Sequence, residues 1–280
     1  MSGVDAHHHV WQVARGDYGW LQPTPALAAI CRDFTLDELR PQLAAAGIGA
    51  TVLVQAAPTL AETRHLLDIA EQSAGLVRGV VGWVDLAALD ARGTLADLAA
   101  NPLLKSVRPM LHDLADAEWI LRAEVQPALA ALPALGLRFD ALVRPRELKA
   151  LRAMQDAHPD LAVIVDHCAK PDIAAGGWQP WAADIAAIAA RSRAYCKLSG
   201  LVTEAGAGWT VDALRRYVDH VLACFGADRV IWGSDWPVLT LAASYAEWHA
   251  ASEALLSGLS TEERAAVRGG NARRFYGLAA

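Results

Sequence analysis

Val4-Asp5-Ala6-His7-His8-His9-Val10-Trp11 is the stretch of sequence from which the fold can be worked out. Apolar residues flank the three histidines, so we interpret the stretch as a β-strand. Side chains alternate between the two faces of a strand, so His7 and His9 share one face and His8 points to the other. Two neighbouring imidazoles form half of a metal site or a polar contact for a substrate. Simpler interpretations are an expression tag, against which the apolar flanks argue, and three unrelated surface histidines.

The composition indicates a protein with a large buried core. The chain has 280 residues, of which 54% are hydrophobic, enough for one large domain or two small ones. A net charge of −6 and the absence of a basic block argue against nucleic acid or a membrane surface as partner. We find no signal segment and no apolar run as long as a bilayer, so we expect a cytoplasmic protein. The four cysteines contain no Cys-x-x-Cys pair, which argues against a zinc ribbon or a disulfide scaffold.

Strand and helix patterns alternate along the rest of the chain. Further strands are predicted at 50–55, 77–84, 105–108, 137–142, 161–165, 194–198 and 229–232. Helices are predicted after Thr35 and at 60–70, 89–99, 119–131, 145–157, 181–190 and 211–225. Thr35 with Glu38, and Ser260 with Glu263, have the spacing of a helix capping box. Residues 15–23 are rich in turn formers and aromatics, which is typical of a surface loop that carries binding contacts.

Eight predicted strands, each followed by a helix, match a (β/α)8 TIM barrel, which has about 250 residues. The later strands are continuous apolar runs, as expected for strands that are covered on both faces. A doubly wound open sheet is the alternative, but it would need a glycine-rich phosphate-binding turn after an early strand, and the sequence has none. Because no linker or repeat is visible, we predict one α/β domain over residues 1–280.

In such a barrel the active site is built at the carboxyl ends of the strands. The polar and aromatic residues at those predicted ends are His7, His9, Trp83, Asp85, Arg108, His112, Asp140, Arg144, Asp166, His167, Lys197, Ser199, Ser234, Asp235 and Trp236. Taken singly, His167 would more often be structural, and Asp235 could be a turn aspartate. Together with the first histidine pair they form a group that unrelated surface residues rarely produce.

Three histidines and one carboxylate suit a single Zn²⁺ or another divalent cation, with one position open for water. The predicted metal ligands are His7, His9, His167 and Asp235. Such an ion would lower the pKa of water toward about 7. Asp235 could also work without metal, as the base that takes a proton from an attacking water, while histidines donate to the developing oxyanion. We therefore predict Asp235, His167 and His9 as catalytic residues.

Arg108 and Lys197 are predicted to bind substrate. The guanidinium of Arg108 can hold a carboxylate or carbonyl oxygen, although an ion pair with Asp113 or Asp116 is an alternative. Lys197 lies on a buried strand and needs a partner, since an unpaired interior ammonium is costly. The candidate partners of Lys197 are Asp140 and Asp166.

His112, Trp83 and Trp236 are also predicted to contact substrate. His112 follows closely after the end of the fourth strand. Trp83, Trp209 and Trp236 lie near strand ends, where an indole could stack on a sugar ring. For most of the ten tryptophans we expect ordinary core and loop packing.

Five motifs, in this order, resemble the amidohydrolase superfamily. They are Asp-Ala-His-His-His-Val-Trp at 5–11, Arg-Gly-Asp-Tyr-Gly-Trp-Leu at 15–21, Asp-His-Cys-Ala-Lys-Pro at 166–171, Lys-Leu-Ser-Gly-Leu-Val-Thr-Glu at 197–204 and Gly-Ser-Asp-Trp-Pro at 233–237. Within the superfamily the sequence is most similar to the branch with L-fucono-lactonase, L-rhamnono-lactonase and 2-pyrone-4,6-dicarboxylate lactonase. The resemblance covers essentially the whole chain.

The resemblance implies a (β/α)8 barrel that hydrolyses a cyclic ester, with the family's strand-one pair at His7 and His9. It likewise implies roles for His167 and for Asp235, the strand-eight aspartate. Many metal-dependent members have a lysine or glutamate that bridges two metals at the end of strand four or five, where this chain has Arg108 and Asp140. A two-metal site is therefore doubtful. Members of the branch are described with one divalent ion and with none. The role of His8, where relatives commonly have glutamine, is open.

The expected function is that of a lactonase for an aldonolactone such as L-fucono- or L-rhamnono-lactone. Water, activated by Asp235 with or without a divalent metal, attacks the carbonyl of the ring ester. The alternatives are a metal-dependent decarboxylase of an aromatic acid on the same scaffold and a non-catalytic sugar-acid binder. We expect a small-molecule lactone as ligand, and neither nucleic acid nor membrane as partner. The sequence leaves open the ring size, the metal occupancy and whether the chain forms a homo-oligomer.

Overall fold

Eight parallel strands form one sheet in the computed structural model, which describes residues 2–279. The strands are β1 Gly3–His8, β2 Ile48–Val54, β3 Val77–Gly82, β4 Leu104–Val107, β5 Arg138–Ala141, β6 Val163–Val165, β7 Tyr195–Leu198 and β8 Val230–Trp232. Each strand is hydrogen-bonded to the next one along the chain. This order confirms the predicted (β/α)8 barrel, because a doubly wound sheet reverses its strand order partway through.

The residues that follow β8 nearly close the barrel onto β1. The backbone N–H of His9 donates to the carbonyl of Trp236 at 2.7 Å, and that of Asp235 donates to the carbonyl of His7 at 2.7 Å. Carboxyl-terminal ends of parallel strands share one edge of a sheet, so this closure brings the beginning and the end of the chain to one rim.

Helices cover the outside of the barrel. They are α1 Leu36–Ala45, α2 Leu60–Gln72, α3 Ala91–Ala99, α4 Gln126–Ala131, α5 Leu148–Ala157, α6 Trp181–Arg191, α7 Leu201–Ala205, α8 Val211–Phe225, α9 Tyr245–Leu255, α10 Thr261–Ala265 and α11 Asn271–Tyr276. The helix predicted at 119–131 is wrong over its first half, where a 3₁₀ turn at Trp119–Leu121 precedes α4. Pro127 lies in the first turn of α4, the position that proline tolerates in a helix. Among residues 2–279, every helix is too short or too polar to traverse a lipid bilayer.

One of the two predicted capping boxes forms. The hydroxyl of Ser260 accepts from the backbone N–H of Glu263 at 3.2 Å, and Glu263 accepts from the backbone N–H of Ser260 at 2.8 Å. The prediction for Thr35 is wrong, because its side chain makes no capping bond. The carboxylate of Glu38 instead pairs with Arg32 at 2.7 Å.

Small aliphatic side chains fill the lower part of the barrel. This inner cluster contains Val4, Ala6, Ala50, Val52, Val54, Val81, Ile164 and Ile231, with Ala272, Phe275, Tyr276 and Leu278 from the C-terminal segment. The helix α11 therefore closes the amino-terminal end of the barrel. Polar side chains occupy the interior above this cluster, as in a barrel whose site lies at the carboxyl ends of the strands.

A bulge in β1 turns His7 toward the interior. Asp5 is paired with Thr51 of β2 but His8 with Leu53, so β1 has one extra residue in between. Ala6 packs in the inner cluster, and His7 also contacts interior side chains. His8 points to the other face, where its Nε2 lies 2.9 Å from the hydroxyl of Thr51. The predicted division of the three histidines between two faces is therefore confirmed.

The segment between β1 and α1 packs against the β2–α2 connection. Tyr18 and Leu21 are buried, and the indole N–H of Trp20 donates to the carbonyl of Ala56 at 2.6 Å. The predicted surface loop at 15–23 is thus partly buried at the rim of the barrel.

Glu62 holds the β2–α2 connection in place. Its buried carboxylate accepts from the backbone N–H of Ala56 at 3.0 Å and of Ala57 at 2.6 Å. Burial raises the pKa of Glu62 from 4.5 to about 7, although the two backbone donors oppose the shift. The proton therefore binds more tightly to Glu62 in the folded chain than in the unfolded chain.

Replacing Glu62 by glutamine should reduce the pH dependence of stability. Between pH 4.5 and about 7 the folded chain retains a proton that the unfolded chain has lost, so the free energy of unfolding falls as pH rises. The shift corresponds to about 3 kcal/mol. Urea unfolding at pH 5 and pH 8 measures this loss, which should be smaller by that amount in Glu62→Gln. Glu263→Gln is the matched control, because Glu263 has the same helix position but is exposed. An unchanged loss in Glu62→Gln would contradict the assignment.

Candidate active site

Three imidazole nitrogens converge on one carboxylate oxygen at the carboxyl-terminal rim. The Oδ1 atom of Asp235 lies 3.4 Å from Nε2 of His9, 3.7 Å from Nε2 of His7 and 3.8 Å from Nε2 of His167. The four side chains are at most 5% exposed. The structure thus brings together the four residues that the sequence predicted as a group, from β1, from the end of β6 and from the end of β8.

Two of these residues, His167 and Asp235, have left-handed backbone conformations, which set the direction of their side chains. His167 has φ 51°, and the three residues after it also have positive φ. Asp235 has φ 60°. Such conformations cost non-glycine residues on the order of 1 kcal/mol each, and they concentrate at functional sites.

Two glycines leave room for the histidines. A Cβ on Gly200 would lie 2.6 Å from Nδ1 of His167, and one on Gly233 would lie 2.7 Å from Cβ of His7. Any side chain at either position would displace an imidazole or the backbone that carries it.

The hydrogen-bond partner of His9 leaves its Nε2 free to bind a cation. Nδ1 of His9 lies 2.8 Å from the carbonyl oxygen of Val54, which can only accept, so the ring hydrogen is on Nδ1. The lone pair of Nε2 therefore faces the Asp235 oxygen, and a proton or a cation between the two acceptors relieves their repulsion. His167 has a similar arrangement, with Nδ1 2.9 Å from the hydroxyl of Ser199. A carbonyl or hydroxyl on the second ring nitrogen is typical of histidines that bind metals.

His7 is in a different situation. Its Nδ1 lies 3.2 Å from Nζ of Lys197, which can only donate. Its Nε2 lies 3.4 Å from Nη1 of Arg108, which also can only donate, so the neutral ring accepts from one of these two cations. In the tautomer that accepts from Lys197, the ring hydrogen is on Nε2 and points toward Asp235. Binding a cation through Nε2 of His7 would require the other tautomer.

The electrostatics favour neutral histidines next to an ionised aspartate. Burial, together with the charges of Lys197 and Arg108, lowers the pKa of His7 well below 6.5. Burial also lowers the pKa of His167 well below that value, against the opposing charge of Asp235. Burial alone would raise the pKa of Asp235, but His167 and His9 bring it below 3.8. Neutral imidazoles and a carboxylate are the forms that bind a divalent cation.

The donor set fits one divalent ion. Ligand atoms of His7, His9 and Asp235 lie within 4.8 Å of one another. The same holds for His7, Asp166 and His167. His7 belongs to both groups, whereas His9 and His167 do not occur together in either. His7, His9 and Asp235 form a set of three protein ligands, which is typical of catalytic zinc sites that keep one position open.

Arg108 lies beside the cluster and pairs with Asp166. Its Nη1 is 3.4 Å from Oδ2 of Asp166 and 3.4 Å from Nε2 of His7, and its Nη2 donates to the carbonyl of Gln55. The alternative ion pairs with Asp113 and Asp116 are therefore wrong. Arg108 Nε is buried without a hydrogen-bond partner in residues 2–279. Gln55 was not found from the sequence, because nothing local marks a strand-end glutamine that holds an arginine.

Lys197 lies below the rim, between two carboxylates. Its Nζ is 2.7 Å from Oδ2 of Asp140 and 2.8 Å from Oδ1 of Asp166, which confirms both predicted partners. The hydroxyl of Tyr276 also donates to Oδ2 of Asp140 at 2.7 Å. Burial alone would raise the pKa of Asp166, but the charges of Lys197 and Arg108 lower it to about 2. Because Lys197 is 0% exposed and fully paired, its position suits a residue that supports His7 and Asp166.

Asp5 joins β1 to the turn after β8. It accepts from the backbone N–H of His7 at 3.2 Å and of Ser234 at 2.9 Å, and from the hydroxyl of Tyr245 at 3.1 Å. Burial raises the pKa of Asp5 to about 6, although these donors oppose the shift. Asp5 was not among the predicted site residues, since its partners lie at the other end of the chain.

The other predicted substrate contacts lie outside the histidine cluster. Trp236 is buried, and its ring packs edge-to-face against Phe34 with centroids 5.3 Å apart. Trp83 is half-buried, and His112 lies 3.1 Å from Asp113 Oδ1. Within residues 2–279, these three side chains make no hydrogen bond to His7, His9, His167 or Asp235. The ring of Trp236 is therefore used in core packing.

Comparisons with known proteins find relatives over nearly the whole chain. The sequence model of the amidohydrolase family matches residues 4–278. An L-fucono-1,5-lactonase of Burkholderia ambifaria is 46% identical over 277 residues, which cover 98% of this chain and 94% of that protein. Another L-fucono-1,5-lactonase, from Burkholderia multivorans, is 35% identical over 98% of this chain and 96% of its own length. A crystal structure of an amidohydrolase from Burkholderia multivorans with bound zinc superimposes with a TM-score of 0.91, at 35% identity and with 100% of both chains covered.

Proposed function

This chain belongs to the amidohydrolase family, and from that premise we propose that it is a hydrolase that opens the ring ester of a sugar-acid lactone. The two curated relatives are lactonases that share nearly the full length of the chain. The observation that carries the proposal is the convergence of three imidazoles on the buried oxygen of Asp235. This arrangement places a base next to groups that can stabilise negative charge.

Asp235 acts as the base in the proposed reaction. Because its pKa is below 3.8, it is ionised at neutral pH and can take a proton from water. The water oxygen forms a bond to the carbonyl carbon, and the ring C–O bond breaks. The proton then passes from Asp235 to the ring oxygen, which becomes a hydroxyl group of the open-chain acid.

His7 and Arg108 stabilise the oxyanion that forms when water adds to the carbonyl. In the tautomer that accepts from Lys197, His7 donates through Nε2. Arg108 supplies a positive charge beside that atom. Buried donors of this kind are worth more than donors in water, because they are fixed in a low-dielectric site before the reaction.

His7, His9 and Asp235 would hold a single divalent ion, with His7 in the tautomer that leaves its Nε2 without a hydrogen and with His167 as a further ligand. When bound, such an ion supplies Lewis-acid polarisation of the carbonyl and a lower pKa for water. The crystal structure of the Burkholderia multivorans relative with bound zinc supports a divalent ion as cofactor. Without an ion, His9 and His167 would have to carry a proton on Nε2 to donate to the developing charge.

Substrate binding is assigned to Arg108, whose unpartnered Nε can donate to a carboxyl or hydroxyl oxygen of the sugar acid. Trp83 and His112 are retained as rim contacts. Lys197 contributes by positioning, and the predicted contact of Trp236 would require its ring to leave the packing against Phe34.

Hydrolysis of a panel of five- and six-carbon aldonolactones, including L-fucono-1,5-lactone, tests the proposal. Acid release is followed with a pH indicator against the spontaneous rate. We expect turnover of at least one deoxy-sugar lactone. Turnover of an amide but of no lactone would indicate an amidase, and carbon dioxide release from an aromatic acid would indicate a decarboxylase. Binding of a sugar acid without turnover of any lactone would indicate a binding protein.

Several sequence-based expectations stay predictions. They are the single domain over residues 1–280, the cytoplasmic location and the absence of nucleic-acid and membrane partners.

A further inference from the structure

Two buried tryptophans donate their indole N–H groups to backbone carbonyls beside the active site. Nε1 of Trp181, at the start of α6, lies 2.7 Å from the carbonyl oxygen of Cys168, which directly follows His167. Nε1 of Trp248, on α9, lies 2.9 Å from the carbonyl oxygen of Gly233, in the turn after β8. Because each tryptophan is at most 2% exposed, water cannot take the place of its N–H group.

The carbonyl of Cys168 lies within a strained turn. Residues 167–170 all have positive φ, between 48° and 60°. Such conformations are unfavourable for residues other than glycine, and they persist only where surrounding contacts fix them. In residues 2–279, the indole N–H of Trp181 is the only hydrogen-bond donor to this carbonyl. The bond therefore connects the turn that carries the imidazole of His167 to the helix layer.

Trp248 makes the corresponding contact with the turn after β8. The backbone of Gly233 lies against His7, since a Cβ built on Gly233 would be 2.7 Å from Cβ of His7. Asp235 follows two residues later with φ 60°, and its backbone N–H donates to the carbonyl of His7. A shift of the peptide group that Trp248 holds would therefore move the carboxylate of Asp235 relative to the histidines.

We propose that Trp181 and Trp248 are positioning residues, whose indole N–H groups hold the two turns that carry His167 and Asp235. The rings themselves pack in the helix layer, as that of Trp181 does against Trp178 with centroids 5.5 Å apart. The N–H group is thus the part of each side chain that acts on the site. This inference rests on the proposed function, because its kinetic test uses a lactone.

Trp181→Phe and Trp248→Phe keep an aromatic ring but lose the donor. We expect kcat for lactone hydrolysis to fall about tenfold in each variant with unchanged KM, because the displaced groups act mainly in the transition state. Trp232→Phe is the matched control. Trp232 is 0% exposed and donates to the hydroxyl of Ser252 at 2.8 Å, so its loss frees no carbonyl of a turn, and kcat should stay at the wild-type value. An equal loss of kcat in all three variants, or in none, would overturn the proposal.

A second substitution keeps the shape of the indole, which phenylalanine does not fill. Incorporating 3-benzothienylalanine at position 181 or 248 replaces the N–H group by sulfur and retains the bicyclic ring. We expect the same fall in kcat as in the phenylalanine variants. Wild-type kcat with this residue at both positions would contradict a role for the two donors.

Crystal structures of the wild type and of the two benzothienylalanine proteins test the positions without a substrate. We expect the ring of His167 in the protein altered at 181, and the carboxylate of Asp235 in the protein altered at 248, to move by about 0.5 Å or more. Unmoved side chains would overturn the proposal. If the wild type hydrolyses no lactone, the proposed function fails, and these structures still decide whether the indoles position the two side chains.

Discussion

Replacing Asp235 by asparagine should lower kcat for lactone hydrolysis by about a thousandfold. The amide cannot take the proton from water, and it also removes the negative charge on which the Nε2 atoms of His7, His9 and His167 converge. Because asparagine has the same shape, the backbone bond from Asp235 N–H to the His7 carbonyl should persist. Initial rates over a range of lactone concentrations, with circular dichroism to verify folding, measure the effect.

The kinetic pattern distinguishes a base from a binding residue. Loss of a group that acts mainly in the transition state lowers kcat and kcat/KM together, whereas loss of uniform binding raises KM. Asp85→Asn is the matched control, because Asp85 also follows a strand but is exposed and outside the histidine cluster. A folded Asp235→Asn protein with wild-type kcat would rule out Asp235 as the base.

The fold could be predicted because the strands are apolar runs separated by helical patterns, and this information is local. Element ends were less predictable where distant residues compete. The first strand was expected to reach Trp11, but β1 ends at His8. The backbone of Trp11 instead pairs with Phe34, at 3.1 and 2.9 Å. That pairing depends on where the segment before α1 returns, which the strand sequence itself does not contain.

The part of the site that could be predicted is the part that follows from the barrel fold. Polar residues at strand ends meet at one rim, so the grouping of the histidines with Asp235 followed from the fold. Contacts between residues that are distant in sequence did not follow from the fold. The arginine–glutamine contact of Arg108 with Gln55 has no local signal. The packing of the Trp236 ring against Phe34 likewise depends on the position of another segment of the chain.

Replacing Gly200 by alanine should lower activity by about a hundredfold, because misplacing a catalytic group by about 1 Å has effects of this size. The added Cβ would lie 2.6 Å from Nδ1 and 2.8 Å from Cγ of His167. The ring must therefore shift relative to Asp235, and its bond to Ser199, which is made by the crowded Nδ1, is disturbed. Lactone hydrolysis and zinc affinity, both measured on folded protein, should fall together if His167 serves both functions.

Gly16→Ala separates displacement of the ring from backbone strain. Gly16 has φ 74° and ψ 3°, and Gly200 has φ 68° and ψ 0°, so alanine pays a similar backbone cost of about 1 kcal/mol at either position. Among residues 2–279, no atom lies within 4 Å of a Cβ built on Gly16. Both variants should therefore lose similar stability in urea, but only Gly200→Ala should lose activity. Equal activity losses in the two variants would mean that backbone strain, and not the position of His167, limits the reaction. Wild-type activity in a folded Gly200→Ala protein would mean that hydrolysis tolerates movement of this imidazole, and His167 would then have no catalytic role.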